Sequence, residues 1–266
     1  MLLDRNVLAD AYLAGDVLEA GVLEAHAVEA RSTHADAAAF AAGAPASDAG
    51  LELWLQRELP RLGLPLQRRR VRAKQHVFRA GQPRTALYLV HAGFFKTALV
   101  SEDGREKITG FRMRGDLLGL DALDMNAYAC DAVALDTGEL WEVPFARLRN
   151  QHPQFQERIT ALLAQEIRRD WNWMLALGTL GADQRVVTFL FDLAARLHAL
   201  GFSGECLQLR MTRAELGNFL ALTLETVARS LSRLQARGLI EVAGREIRLR
   251  DRAGLGEVLS AGARVH

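Results

Sequence analysis

Between residues 71 and 145 the hydrophobic positions come in short runs that polar residues and glycines interrupt. Residues 88–90 and 97–100 are runs of strand length, and glycines recur at positions 81, 93, 104, 110, 115, 119 and 138. Short β-forming runs separated by turn residues are typical of an antiparallel barrel or roll. We therefore predict a β-roll domain over residues 51–150, with a hairpin turn at residues 101–104.

A different hydrophobic pattern follows, over residues 154–177, where neither proline nor internal glycine interrupts the chain. Its heptad-like positions alternate in steps of four and three residues, as in a coiled-coil seam. They are Leu163, Ile167, Asp170, Met174 and Leu177. A long helix could pack on its own domain, but a narrow stripe between two domains favours pairing with a second copy of the chain. We predict a dimerisation helix over residues 151–180.

Asp170 lies within this predicted seam. A carboxylate there brings like charges together across a two-fold axis and lowers the stability of the dimer. It serves either to fix the register of the two helices or to weaken the dimer deliberately, and the sequence leaves both alternatives open.

Residues 181–253 read as helix (184–200), strand (207–211), helix, turn, helix and a two-stranded hairpin around residues 243–244. This order is that of a winged helix-turn-helix domain. Thr212 and Glu215 form the pattern of a capping box at the start of the first short helix, and Thr223 caps the second. Residues 254–266 are left as a tail.

The second short helix has one apolar stripe, formed by Val227, Leu231 and Leu234, and Gly238 is its predicted stop. The residues near its start that point away from this stripe are Leu224, Glu225, Ala228 and Arg229. A helix that enters the DNA major groove by its first turns reads bases with such side chains, since Arg binds guanine O6 and N7 and Glu accepts from cytosine N4.

Glu225 and Arg229 are also spaced as an intrahelical ion pair worth about 0.2–0.5 kcal/mol, which is the alternative interpretation of the two residues. The capped helix pair and the wing favour DNA reading. We expect contacts to the DNA backbone from residues around the same surface, namely Arg213, Thr223, Arg233 and Arg245.

The length of 266 residues predicts two domains, with one large barrel as the alternative, and the composition agrees with a folded protein. Half of the residues are hydrophobic and 24% are charged, which is ordinary globular usage. No apolar run approaches the length of about 18 residues that spans a membrane, and the first residues lack the basic flank of a signal peptide. With two cysteines in 266 residues and no disulfide framework, we expect a cytoplasmic protein without a membrane partner.

Residues 1–50 differ from the rest of the chain. They contain sixteen alanines, eight acidic residues and two basic ones, and a five-residue repeat that matches no helical period. We predict a low-complexity, disordered extension; a helix that binds a partner is the alternative. Its net charge of −6 leaves +7 on the other 216 residues, which permits a nucleic-acid partner without requiring one.

Residues 212–229, with the segment through Leu239, resemble the helix-turn-helix signature of the CRP/FNR family. Segments 78–81, 88–93, 108–111 and 115–119 resemble the effector-domain roll of that family, so the resemblance covers about residues 65–250. It implies an α+β chain with a roll like a cyclic nucleotide-binding domain, a dimerisation helix and a winged helix-turn-helix. The implied function is a homodimeric transcriptional activator that binds double-stranded DNA and contacts RNA polymerase.

The fumarate-nitrate reduction branch is the more similar one, and its Glu-x-x-Ser-Arg pattern reads TTGAT half-sites. Glu225 and Arg229 match this pattern, whereas Ala228 replaces the serine. A similar palindromic site is implied, and the alanine methyl group can contact a thymine methyl. Ala221 replaces the usual glycine of the turn, which costs about 1 kcal/mol if its φ is positive.

The ligands known for the family do not match this chain. An iron-sulfur cluster needs four thiolates, but no cysteine precedes Cys130 and Trp141 stands where the fourth ligand would be. Leu120, Ala129 and Cys130 replace the Glu and Arg-Ser that bind cyclic AMP, which would leave the phosphate unpaired. We expect no cofactor of either kind.

Three alternatives stay open for the signal. The protein acts through its abundance alone, it binds a haem or a cyclic dinucleotide in the roll, or it responds to oxidation of Cys206 just before the DNA-binding helices. His76 and His91 are the candidate haem ligands, although a lone histidine is more often a packed or surface residue. A free cysteine such as Cys206 or Cys130 is more often a small buried hydrophobic residue than a redox site.

An enzyme is the rival class of function. A metal enzyme with a cupin-like roll needs clustered histidines, and no HxH pair is present in the sequence. GxSxG and Walker A motifs are also absent. We therefore expect a protein that is not an enzyme and has no metal site; a ligand-binding signalling module that does not act through DNA is the remaining alternative.

Overall fold

The computed structural model describes residues 49–261. Most of the acidic extension, residues 1–48, lies outside the described residues, as do residues 262–266. The first unit contains α1 (Ala49–Arg61), β1 (Gln67–Val71), β2 (His76–Phe78), β3 (Leu87–Ala92), β4 (Phe95–Val100), β5 (Glu106–Arg112), β6 (Leu117–Leu118), a 3₁₀ turn (Leu120–Ala122), β7 (Asp131–Ala134) and β8 (Gly138–Val143). The mixed α and β content and the order of elements confirm the predicted fold class.

Two four-stranded antiparallel sheets form the roll, with strand orders β1-β8-β3-β6 and β2-β7-β4-β5. Phe95, Leu140 and Trp141 are almost fully buried in it. The hairpin predicted at residues 101–104 joins β4 to β5. Gly138 is required by close packing, because a Cβ atom there would lie 2.6 Å from the carbonyl oxygen of Ala92.

Helix α1 has no counterpart in the predicted roll. Leu51, Trp54, Leu55 and Leu59 are its buried apolar residues, and their spacing is that of one apolar helix face. Trp54 stacks on Phe155 at 5.6 Å between ring centroids. The helix therefore covers the core where the roll meets the long helix.

A short helix, α2 (Phe145–Gln151), leads into the long helix α3 (Pro153–Thr179), which confirms the helix predicted over residues 154–177. Phe155, Ile159, Trp173 and Ala176 are the residues of α3 buried against the same chain. The exposed apolar side chains are Ile167, Trp171, Met174 and Leu175, with 46%, 63%, 66% and 59% of their surface accessible. One face of α3 thus packs on its own chain and another is free.

The second unit contains α4 (Ala182–Ala199), β9 (Cys206–Gln208), α5 (Arg213–Leu220), α6 (Leu224–Ala236), β10 (Ile240–Ala243), β11 (Glu246–Leu249) and α7 (Arg252–Ala261). Its three strands pair in the order β10-β11-β9. Strand β9 is shorter than the predicted 207–211. Residues 254–261 are not a tail as predicted, because Leu255 and Val258 are buried in the domain core and hold α7 in place.

Candidate nucleic-acid interface

The helix pair α5 and α6 begins with the predicted capping box. The Thr212 hydroxyl accepts a hydrogen bond from the backbone N–H of Glu215 at 3.1 Å, and the Glu215 carboxylate accepts from the backbone N–H of Thr212 at 2.8 Å. Two N–H groups that a helix start leaves free are thereby satisfied. Burial opposes ionisation of Glu215, but these bonds and the nearby Lys96 lower its pKa below the ordinary value.

The turn between the two helices is tight. Leu222 N–H donates to the Gly217 carbonyl at 2.8 Å, and a Cβ atom at Gly217 would lie 2.7 Å from the Leu222 carbonyl oxygen. Ala221 ends α5 with φ 53° and ψ 43°. Because φ is positive in this left-handed conformation, the alanine costs about 1 kcal/mol of stability relative to glycine.

Helix α6 buries the predicted stripe and exposes the predicted reading face. Thr223 caps it by accepting from Thr226 N–H at 3.1 Å, and Gly238 follows its end with φ 72°. Val227, Leu231 and Leu234 are buried. The four predicted base-reading residues, Leu224, Glu225, Ala228 and Arg229, are all exposed.

Glu225 and Arg229 form the intrahelical ion pair that was the alternative interpretation, with 3.4 Å between Oε1 and Nη2. Their side chains remain 75% and 62% exposed. An exposed pair of this kind is worth about 0.3–0.5 kcal/mol, which is less than the roughly 1–3 kcal/mol of discrimination from a bidentate base contact. The pair therefore holds both side chains on one face without preventing their transfer to bases.

Arg213 and Arg245 lie close together beside the wing. Arg213 donates to the Gly244 carbonyl at 3.0 Å, and Arg245 donates to the Arg210 carbonyl at 3.4 Å. Burial and the charge of Arg245 lower the pKa of Arg213. Two neighbouring cations that repel each other are suited to share an anion such as a DNA phosphate.

Arg233, the other predicted backbone-binding arginine, lies against α4 instead of standing free. Its guanidinium binds both oxygens of Asp183, at 3.0 Å and 2.5 Å. This pairing neutralises its charge on the protein itself. Thr223, the fourth residue predicted to contact the DNA backbone, is exposed at the start of α6, and its hydroxyl lies 2.8 Å from that of Thr226.

The predicted seam residues divide along α3. Ile167, Asp170 and Met174 are exposed, whereas Leu163 and Leu177 are half-buried. Trp171 and Leu175 extend the exposed face, although the heptad pattern does not include them. The recurrence of apolar residues at 167, 171, 174 and 175 is the signal in the sequence that points to this wider face.

A cavity of about 390 Å³ lies between the roll and α3. Its charged lining residues are Arg112, Asp121, Glu166 and Asp170. Arg112 is paired with Glu166. Leu120, Ala129 and Cys130 also line this cavity. Because three carboxylates outnumber one paired cation, the lining does not fit the phosphate of a cyclic nucleotide.

The residues present do not fit an iron-sulfur cluster either. The sequence has two cysteines, Cys130 is buried and Cys206 is half-buried, and burial together with Asp121 raises the pKa of the Cys130 thiol far above its usual range. Trp141, at the position of the fourth ligand, is buried and stacks on the His91 ring with 4.5 Å between centroids. Such a cluster needs four thiolates.

His76 and His91 are not brought together. His76 pairs with Asp131 at 3.5 Å and His91 pairs with Glu52 at 2.9 Å, and the two histidines lie on different sheets. Within residues 49–261, no group of three or more His, Cys, Asp or Glu side chains could hold a metal ion. In the same part of the chain, none of the helices has the length and apolar character needed to cross a membrane.

Known proteins share both halves of this architecture. A Crp-like helix-turn-helix domain model matches residues 184–258, and a cyclic nucleotide-binding domain model matches residues 68–153. The transcriptional activator protein anr of Pseudomonas aeruginosa is 39% identical over 197 residues, which cover 73% of this chain and 79% of that protein. The anaerobic regulatory protein of Pasteurella multocida is 36% identical over 207 residues, or 76% of each chain.

Among solved structures, FixK2 from Bradyrhizobium japonicum is similar with a TM-score of 0.67 and 30% identity, and the match covers 73% of this chain and 98% of FixK2. The family resemblance, the fold and the class of function stated from the sequence are thereby confirmed. The chain belongs to the CRP/FNR family of DNA-binding transcriptional regulators, among relatives named as activators and anaerobic regulators.

Proposed function

We propose that the protein binds, as a homodimer, a two-fold symmetric DNA site with TTGAT-like half-sites about one helical turn apart. The observation that carries this proposal is the exposed start of α6. Its capped first turns present Glu225, Ala228 and Arg229 on one exposed face.

Each reading residue has a defined role in this proposal. Arg229 binds O6 and N7 of the guanine of TTGAT, and Glu225 accepts from a cytosine N4 amino group. The methyl group of Ala228 and the side chain of Leu224 contact thymine methyl groups.

Arg213, Thr223 and Arg245 bind backbone phosphates and fix the register without reading sequence. Arg233 joins them only where a phosphate competes with Asp183 for its guanidinium.

The second copy packs along the exposed face of α3. Ile167, Trp171, Met174 and Leu175 form an apolar surface there, and such a surface on a long helix between two domains is suited to a coiled-coil partner. Two copies joined in this way would present two recognition helices to the two half-sites.

The regulator works without an iron-sulfur cluster and without cyclic AMP, since neither ligand fits the residues described above. A cyclic dinucleotide would bring two phosphates to a lining that is already negative. Control by abundance and oxidation of Cys206 stay as alternatives for the signal. Activation through contact with RNA polymerase in the cytoplasm is proposed because the anr relative is named a transcriptional activator.

The test is fluorescence anisotropy on a TTGAT-N4-ATCAA duplex and on a scrambled duplex of equal length, with protein purified without oxygen. We expect Arg229→Ala to cost about 1–3 kcal/mol on the specific duplex and to relax discrimination at one base pair. Arg245→Ala is the matched control, because it should weaken both duplexes alike and reduce the salt slope by about one. Equal losses on both duplexes for Arg229→Ala would contradict base reading.

The absorption spectrum of the same preparation tests the cofactor proposal. A colourless protein that binds tightly in air is the expected result. Haem bands, or the spectrum of a labile cluster, would overturn it.

A further inference from the structure

The first helix of the helix-turn-helix pair is attached to the edge of the β-roll by side-chain hydrogen bonds. Strand β5 is the outer strand of its sheet, so one row of its backbone groups has no strand partner. Asn218, in the last turn of α5, meets this row. Its side-chain oxygen accepts from Ile108 N–H at 2.7 Å, and its side-chain NH₂ donates to the Glu106 carbonyl at 2.8 Å.

The carboxamide of Asn218 thus pairs with β5 as a peptide group of a neighbouring strand would. Both of its polar ends are satisfied by backbone groups two residues apart. The reverse orientation of the amide would set N–H against N–H and carbonyl against carbonyl, so the contact has a defined direction.

Two lysines of the same hairpin reinforce this contact. Lys107 donates to the carbonyls of Asn218 and Phe219, at 2.5 Å and 3.1 Å, which are among the acceptors that the end of a helix leaves free. Lys96 binds Glu106 at 2.7 Å and Glu215, in the first turn of α5, at 3.3 Å. The hairpin therefore holds both ends of α5, and we name these contacts of Lys96, Lys107 and Asn218 the β5–α5 clamp.

An aromatic cluster lies beneath the clamp and joins all three parts of the chain. Phe219 of α5 lies 5.3 Å from Phe111 of β5 and 4.8 Å from Trp173 of α3, between ring centroids. These two ring contacts are edge-to-face, and the hydrogen bonds of the clamp add directional contacts that hold the rotation of α5 over this cluster.

We propose that Asn218 is a positioning residue that sets the spacing between half-sites accepted by the dimer. Because a tight turn joins α5 to α6 and Phe219 of α5 contacts Trp173 of α3, the orientation that the clamp gives to α5 also sets the direction of the recognition helix relative to α3. In a dimer joined through α3, that direction determines the distance between the two reading faces. This inference rests on the proposed function, and it adds a residue that touches no DNA.

The test uses the full chain and duplexes in which two TTGAT-like half-sites are separated by about two to eight base pairs. We expect the unaltered protein to prefer one spacer by at least about tenfold over spacers two base pairs longer or shorter. Each of the two neutral hydrogen bonds is expected to change the ratio of affinities between spacers by about fivefold, so Asn218→Ala can relax this preference by up to about 25-fold. The expected result is a profile that is flat to within about threefold.

Binding to a duplex with a single half-site is measured in parallel, because it depends on the helix-turn-helix but not on spacing. It should change less than twofold in Asn218→Ala. Gln208→Ala, an exposed amide residue of the same domain, is the control and should keep the spacing preference. Lys107→Met removes a clamp contact from the roll side, outside the DNA-binding domain, and should also flatten the profile.

Three outcomes would overturn the proposal. In the first, Asn218→Ala and Lys107→Met both keep the spacing profile of the unaltered protein. In the second, Asn218→Ala loses as much affinity for the single half-site as for the full site. In the third, Gln208→Ala flattens the spacing profile as much as Asn218→Ala does. If the unaltered protein itself shows no preference between one and two half-sites, the proposed dimeric function fails, and that result is separate from any effect of the clamp.

Discussion

Ala221 is one of two non-glycine residues, with Lys74, that have a positive φ in the described part of the chain. Its φ of 53° suits glycine, and the strain acts on the turn between the two DNA-binding helices. We expect Ala221→Gly to raise the free energy of unfolding by up to about 1 kcal/mol. Thermal unfolding of the full chain measures this change.

Ala214→Gly is the matched control for that substitution. Ala214 is exposed in the first turn of α5. Glycine there only adds conformational freedom to the unfolded chain, so the free energy of unfolding should fall by about 0.5–1 kcal/mol. A loss of stability in both variants would contradict strain at residue 221.

Single residues whose partners are near in sequence could be predicted well. The capping box of Thr212 and Glu215 and the helix stop at Gly238 depend on neighbours within a few positions, and the structure confirms them. Arg233 could not be understood in this way. Its partner Asp183 is fifty residues away, and only the packing of α6 on α4 brings the two side chains together.

At the scale of one element, α3 has one apolar face that packs on its own chain and another that is exposed, and the sequence alone does not distinguish them. Trp171 and Trp173 are two residues apart, but Trp173 is buried against its own chain while Trp171 is 63% exposed. The pattern of residues 154–177 predicts the helix correctly. It does not tell which tryptophan belongs to the intramolecular core, because that depends on where the roll and α4 dock.

The exposed face of α3 is the proposed dimer contact, and Trp171 is the largest side chain on it. We expect Trp171→Ser to weaken dimerisation by about 2 kcal/mol per protomer, since burying a large apolar side chain is worth about 1.5–3 kcal/mol. Sedimentation equilibrium of the full chain measures the dissociation constant. Asn172→Ser, the exposed neighbour on the same turn, should leave it unchanged, and an unaltered dimer in Trp171→Ser would remove this face from the interface.

Across the whole molecule, a buried ion pair connects the roll to the DNA-binding domain. Arg196 of α4 is 5% exposed, pairs with Asp116 in the turn after β5 and donates to the Phe111 carbonyl at 3.1 Å. Burial opposes ionisation of Asp116, but the charge of Arg196 lowers its pKa below the ordinary value. The pair is far apart in the sequence, and no local pattern predicts it.

Removing one partner of this ion pair should strongly destabilise the folded protein. We expect Arg196→Met to lower the free energy of unfolding by about 3 kcal/mol, because it removes the ion-pair partner of Asp116 and leaves only the more distant charges of Arg169 and Arg112 to compensate that carboxylate. The double variant Arg196→Met with Asp116→Asn should recover part of that loss in thermal unfolding. A double variant no more stable than Arg196→Met would show that the charge itself is not the cause.

The dimer as a whole should respond to pH through Asp170. Asp170 is exposed at the surface of α3 but also lines the cavity beside the roll. Loss of hydration there and the negative charge of Glu166 raise the pKa of Asp170, while Arg112 and Arg169 oppose this rise. A carboxyl group whose pKa is raised by folding or association stabilises the folded or associated state when it is protonated. This stabilisation is lost as the pH rises through the raised pKa. A second Asp170 across a two-fold axis would raise the pKa further.

We therefore expect the dimer dissociation constant to fall as the pH is lowered from 8 towards the raised pKa of Asp170. Asp170→Asn should remove most of this dependence, and Asp170→Leu should tighten the dimer at pH 8, because neither carries the charge that opposes association. Sedimentation equilibrium over a pH series measures both effects. Glu157→Gln, an exposed carboxylate nearer the start of α3, is the matched control, and a pH dependence that survives in Asp170→Asn would place the titrating group elsewhere.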